Sequence, residues 1–195
     1  MIEGTKILVI DAGLRGEESR TRRLCRKWME ICAPQEKNEV KWLTLTDLGL
    51  LPLDKETLDK RTALIAAGDF SDPMFDLAKE FRAADHILIC APYYDLSFPS
   101  ILKVYVEHIM VDGLLFYYED ERCRGLCRAK DMVYFTTAGG YIKERNFGYT
   151  YMAAVCRMVG IHSVEEFSAE GLDLGEEDPE SIMDWTLIQI GQRLE

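Results

Sequence analysis

Apolar runs and helix-period stripes alternate along this chain. Residues 6–11, Lys-Ile-Leu-Val-Ile-Asp, and 86–91, His-Ile-Leu-Ile-Cys-Ala, are short and almost continuously apolar. That is the pattern of strands buried on both faces of a parallel sheet. Residues 132–137 and 163–169 read as further strands, and 38–45 as one that alternates enough to lie half-buried. Between them run helical stripes: 20–33 with Leu24, Trp28 and Ile31 on one face, 57–67, and a segment opened by Asp72 and Pro73 with Met74, Leu77, Ala78 and Phe81 inward. A helix begun by Ser97 and Pro99 carries Ile101, Tyr105 and Ile109 to about Asp112-Gly113. Others cover 149–159, stopped by Gly160, and a last one begun by Asp178 and Pro179 with Ile182, Trp185 and Ile188 as its core side.

Leu50 to Leu53 reads as a packed excursion, and 114–118 as an aromatic run followed by a polar loop through Gly125. Strand and helix alternate throughout, and right-handed crossovers then make the sheet parallel. The expectation is a single domain over residues 1–195: an α/β, flavodoxin-like, doubly wound sheet of five parallel strands, in the order 2-1-3-4-5, with helices on both faces. No repeat, low-complexity segment or linker interrupts it.

Composition narrows the class. With 195 residues, 48% hydrophobic and 29% charged, the chain reads as an ordinary soluble protein. A net charge of −11 argues against nucleic acid and anionic membranes, both of which need a cationic face. No leader-like or membrane-length apolar run is seen, so a cytoplasmic location is expected. Of the six cysteines, Cys25, Cys32, Cys90 and Cys156 sit among apolar residues as small core hydrophobes, while Cys123 and Cys127 have polar surroundings. Those two lack the further ligands a metal would need; a redox dithiol and plain loop cysteines stay open, and the plainer reading is preferred. None of the three histidines, at 86, 108 and 162, falls in a candidate ligand loop, and no nucleophile–base set or paired acid–base carboxylates stand out.

In open α/β sheets ligands bind beyond the carboxyl ends of the strands. After the first strand come Gly13, Gly16 and then Ser19, placed to cap the following helix. Arg20, Arg22, Arg23, Arg26 and Lys27 crowd that helix's first turns, where cations oppose the helix dipole. Either they form a solvated face paired to Glu17, Glu18 and other acids, or they join Ser19, Thr21 and free N–H groups in holding a phosphate. The second reading is preferred. The third strand delivers Pro92, Tyr93, Tyr94, Asp95 and Leu96 to the same edge. The fourth ends in Thr137-Ala138-Gly139-Gly140-Tyr141, where two glycines admit close approach of a ligand and dihedrals that other residues avoid. The aromatic run at 116–118 reads as a satellite core, a subunit contact or a pocket wall.

Three stretches together carry a resemblance: Ser19-Arg20-Thr21, Ala91-Pro92-Tyr93-Tyr94-Asp95-Leu96 leading through Phe98-Pro99 into a Leu-Lys helix, and Thr137-Ala138-Gly139-Gly140. They resemble the flavodoxin-like NAD(P)H quinone reductase and FMN-dependent azoreductase family. Gly125 to Lys130 and Ala169-Glu170-Gly171 extend the likeness over nearly the whole chain. The resemblance implies FMN, less often FAD, with NADH or NADPH as donor, a quinone, azo compound or similar flat molecule as acceptor, and a homodimer with flavin near the interface. Ser19, Arg20 and Thr21 would hold the flavin phosphate. Pro92 to Leu96 would pack along the ring and offer it N–H groups, and Thr137 to Tyr141 would cover its other edge. No catalytic side chain is implied, because the cofactor carries the chemistry. The chain departs from the family pattern at Ala12, Asp95 and Ala138, where serine, asparagine and arginine are common. A binding or regulatory subunit of the same fold, without turnover, is the alternative.

Overall fold

The apolar runs assemble in a computed structural model, which describes residues 2–192. Five strands, β1 (Lys6–Asp11), β2 (Glu39–Thr44), β3 (His86–Cys90), β6 (Asp131–Thr137) and β7 (Ser163–Ala169), form a sheet ordered β2-β1-β3-β6-β7. Every pairing in it is parallel, with Val9 opposite Trp42 and Leu88, and Leu88 opposite Val133. Two further strands, β4 (Phe116–Glu119) and β5 (Arg122–Gly125), pair antiparallel as a separate hairpin. With that hairpin set aside, the order is the expected 2-1-3-4-5.

Position in the sheet follows apolarity. β3 is buried at every residue, whereas the edge strands β2 and β7 are buried only in part. Alternate residues feed two cores. Leu8, Ile10, Ile87, Ile89, Met132 and Tyr134 pack with buried residues of α3 (Asp76–Ala83), α4 (Ser100–Ile109) and α5 (Phe147–Met158). Ile7, Val9, Leu88, Cys90, Val133 and Phe135 pack with α1 (Arg20–Cys32) and α6 (Pro179–Gln192). Helices therefore cover both faces.

Several expectations are corrected. The polar loop after the aromatic run is the β4–β5 hairpin, closed by Asp120 and Glu121, both at positive φ. Such a turn normally announces itself with Asn-Gly, so acids hid it. Gly125 explains the rest: a Cβ there would lie 2.1 Å from the Val159 carbonyl carbon and 2.2 Å from Gly160 N, so β5 crosses that backbone in direct contact. Trp185 and Ile188 do not face the core; they are 58% and 50% exposed, and α6 buries Met183, Thr186 and Ile190 instead. Both stripes have helical period, and the docking against α1 selects the second. Leu51 is exposed within the supposed packed excursion. α2 (Lys55–Ala67) begins earlier than expected because Asp54 accepts from Thr57 N, and it has no buried residue. α5 likewise begins at Phe147, capped by Asn146. Neither Gly139 nor Gly140 adopts a positive φ, so their role is space rather than dihedral freedom.

Burial raises the Glu166 pKa above its ordinary value, although Asn146 donates to its carboxylate. A carboxyl raised on folding stabilises the fold fully below its unfolded pKa, and that contribution is lost as pH rises through the folded value. Glu166→Gln, which keeps the acceptor, is expected to raise the melting temperature at pH 7, with the gain shrinking toward pH 4.5 in thermal melts. Gly125→Ala is expected to cost about 3 kcal/mol in denaturant titration, because the obstructing atoms are backbone.

Candidate functional site

Of the five loops that leave the carboxyl edge of the sheet, those after β1, β3, β6 and β7 are joined by pairing that continues past the strands: Ala12 N donates to Cys90 O, Ala91 N to Phe135 O, Tyr93 N to Thr137 O and Ala138 N to Ala169 O. Their positions are therefore fixed by the ladder.

The first loop is tied down by Asp11, which is fully buried. One carboxylate oxygen accepts from Gly13 N at 2.8 Å; the other accepts from Arg22 Nε at 2.6 Å and Trp42 Nε1 at 3.3 Å. Arg22 also donates to Glu17, which in turn binds Arg26 through both oxygens. The Arg26 hydrogen bond holds the Glu17 carboxyl below its ordinary pKa. Both guanidiniums sit within 6 Å of the Trp42 ring centre, at 5.8 and 5.7 Å. Gly13 is required where it stands, since a Cβ would meet Asp11 Oδ1 at 2.9 Å and Ser19 Oγ at 3.0 Å. Ser19 caps α1, its hydroxyl accepting from Arg22 N, and the Thr21 and Thr137 hydroxyls are 2.6 Å apart.

Much of the basic cluster is thus paired within the protein, as the plainer reading held. Arg22 and Arg26 answer to Asp11 and Glu17, Arg23 to Glu180, Lys27 to Glu30 and Arg20 to Asp173. Arg20 differs in that it lines a cleft. That cleft, about 90 Å³, is bounded by Leu14, Arg15, Glu18, Ser19, Arg20, Thr21, Pro92, Tyr93, Tyr94, Thr137, Ala138, Gly139, Leu172 and Asp173. Nine of the thirteen residues expected at a site are in that lining. Asp95, Leu96, Gly140 and Tyr141 are not.

Asp95 and Leu96 are the centre of a tight turn. Tyr94 N donates to Ser97 O and Ser97 N to Tyr94 O, and both central residues have positive φ, 50° and 68°. Asp and Asn tolerate that region better than other residues with side chains, so Asp95 fits the turn. Tyr141 is turned away from the cleft: its hydroxyl donates to Glu176, which raises its pKa, and its ring lies against Gly171. Of the fourth loop the sequence reading notes Ala169-Glu170-Gly171 but not Leu172 and Asp173, which line the cleft. Gly171 N, Leu172 N and Asp173 N donate to the carbonyls of Gly140, Ala138 and Gly139. The available signal was topological, since the loop after the last parallel strand must reach the same edge.

Residues 5–194 match a family described as having the flavodoxin-like fold. The chain belongs to this flavodoxin-like family. Within it, the chain is 32% identical over 186 residues to an FMN-dependent NADH:quinone oxidoreductase of Clostridium acetobutylicum, covering 92% of each chain. It is 31% identical over 185 residues to another of Rhizobium meliloti, covering 87% of each. Among solved structures, an azoreductase from Bacillus anthracis superposes with a TM-score of 0.81 at 20% identity, over 97% of this chain and 98% of that one. An FMN-dependent NADH-azoreductase of the same species, in complex with FMN, gives 0.79 at 18%, over 97% of each. These superpositions place the chain's fold among flavodoxin-like structures.

Elsewhere in this flavodoxin-like chain the chemistry is quiet. His86 pairs with Asp131, and His108 with the Leu51 carbonyl. Burial pushes the Cys127 and Cys156 thiols up to about 12, and Cys123 on β5 donates through Sγ to the Met158 carbonyl of α5 at 3.7 Å. Among the described residues no group of three or more His, Cys, Asp or Glu is arranged to hold a metal, and no helix is long and apolar enough to cross a membrane.

Removing one member of the buried pair strands the other. Arg22→Met is expected to destabilise by about 3–5 kcal/mol. Adding Asp11→Asn, which keeps the Gly13 bond, should recover part of that loss in a double-mutant cycle read by chemical denaturation.

Proposed function

We propose that this chain, as one flavodoxin-like domain over residues 1–195, is an FMN-dependent oxidoreductase. It takes electrons from NADH, the donor in its relatives' names, and passes them to a quinone, azo compound or similar flat acceptor. One observation carries the reading: stretches as far apart in sequence as Ser19–Thr21, Pro92–Tyr94 and Thr137–Gly139 line one cleft at the carboxyl edge.

The cleft fits a phosphate. Arg20 and Thr21 occupy the first two positions of α1, where N–H groups have no helical acceptor. Ser19, Arg20 and Thr21 all line the cleft, and the helix dipole favours an anion there. A volume of about 90 Å³ takes a phosphate and leaves a flavin ring on the open side, against Pro92, Tyr93 and Tyr94.

Backbone bonding sharpens which groups address that ring. Pro92 has no N–H, and those of Tyr93 and Tyr94 are bonded to Thr137 and Ser97. Asp95 and Leu96, the two central residues of the left-handed turn, remain. Two of the four residues that miss the enclosed cleft, Asp95 and Leu96, are in this way the ring's donors. Bound here, FMN supplies the two-electron transfer between nicotinamide and acceptor. The chain's part is to fix the phosphate, seat the ring and leave its free face to each substrate in turn.

Leu14, Tyr94, Leu96, Tyr141, Phe147 and Leu174 are exposed around this edge. An apolar rim of that extent suits a second copy of the chain, which would complete the pocket wall.

Purified protein is expected to be yellow or to become so on adding FMN, with the flavin absorbance bleached by NADH. Arg20→Glu should weaken FMN binding at least tenfold, by about 1.4 kcal/mol or more, at an unchanged melting temperature. Protein that stays colourless with FMN would return the chain to the alternative of a binding subunit without turnover.

A further inference from the structure

Arg20 is the α1 cation that lines the cleft, and it already has a partner. Its Nη2 lies 3.2 Å from Asp173 Oδ1. Asp173 is seated in the space that Gly139 leaves open: a Cβ on Gly139 would come within 2.4 Å of Asp173 Oδ2, and Asp173 N donates to Gly139 O at 2.9 Å. The carboxylate is thus part of the cleft wall. It is also 66% exposed, so its pairing with Arg20 is screened by water and readily exchanged.

Charge around the cleft is nearly balanced before any ligand arrives. Arg15 and Arg20 line it, and so do Glu18 and Asp173. The loop bearing Asp173 also carries Glu170, Glu176, Glu177 and Asp178. Glu170 is engaged by Ile142 N and the Ser168 hydroxyl, Glu176 by Tyr141, and Asp178 by Ser181. Asp173 is the acid of this loop that reaches the cleft cation.

We infer that Asp173 is an internal counter-anion that competes with the ligand's phosphate for Arg20 and so sets how strongly this site prefers phosphorylated over unphosphorylated flavin. The inference rests on the flavin reading given above. A phosphate entering at the first turn of α1 takes over the Arg20 guanidinium, and the carboxylate, released, swings to the solvent it already touches. Where it stays, two anions share one cation, which weakens binding. Riboflavin has no phosphate and does not enter this exchange.

The experiment is calorimetric titration of flavin-free wild type and Asp173→Asn with FMN, riboflavin and inorganic phosphate separately. Asp173→Asn should tighten FMN about three- to fivefold and inorganic phosphate in the same direction, with riboflavin unchanged. If both flavins bind and the FMN-to-riboflavin preference is unchanged or reduced in Asp173→Asn, the inference is overturned and the flavin reading stands. If neither protein binds either flavin while Asp173→Asn still binds inorganic phosphate more tightly, the competition stands and the flavin reading falls. If neither flavins nor phosphate distinguish the two proteins, the inference is overturned. A thermal melt of Asp173→Asn superimposing on wild type excludes a folding artefact.

Discussion

Asp11 ends the first strand with no exposure to solvent, and a carboxylate so placed must be matched by charge and hydrogen bonds. Arg22 matches it from α1, Gly13 from the loop between, and Trp42 from the neighbouring strand. One buried acid therefore fixes three things together: the path of the loop, the rotation of α1 about its axis, and the position of the β2 edge. The register of α1 decides which of its residues are left for the cleft. With Arg22 turned down to Asp11, Ser19, Arg20 and Thr21 line the cleft. The pair contributes specificity of arrangement at least as much as stability, which for buried ion pairs is often small in net.

The rest of the site follows from a parallel sheet whose central strand, β3, is buried at every residue. His86 at its start is paired with Asp131 and Cys90 at its end is buried, so function is displaced to the loops beyond its carboxyl end. There the backbone ladder runs on past the strands and holds the loops at fixed separations. Two kinds of surface result. The enclosed part is polar and charged, suited to an anion; the exposed part is aromatic and aliphatic, suited to a flat ring and to another protein surface. The Tyr94–Ser97 turn joins them, and its two left-handed residues cost conformational energy that a functional loop can carry when its surroundings hold it in place.

How far the sequence could be read depended on how local the cause was. β1 and β3 stood out because burial on both faces demands continuous apolar residues. The Ser19 and Asp72 caps were legible because capping acts within three residues. The β4–β5 hairpin was not, because Asp120 and Glu121 fill a turn that usually carries Asn-Gly. The face of α6 was misassigned because Trp185 and Ile188 form as good a stripe as Met183 and Ile190, and only docking chooses between them. At the site, Ser19 to Thr21 and Pro92 to Tyr94 were found from the residues that flank strand ends. Asp173 was not, since an acid among acids gives no local sign that it will meet Arg20.

By itself the sequence determined the strand order, the edge at which ligands would bind and the residues delivered there, because hydrophobic period, capping and the handedness of crossovers are short-range constraints. It left open what each arginine would be paired with. Ion pairing is settled by distances between segments such as residues 20 and 173, which share no local pattern. Only the tertiary structure could decide that Arg22 serves the buried acid, that Arg20 faces the cleft, and that a carboxylate from the last loop already stands beside it.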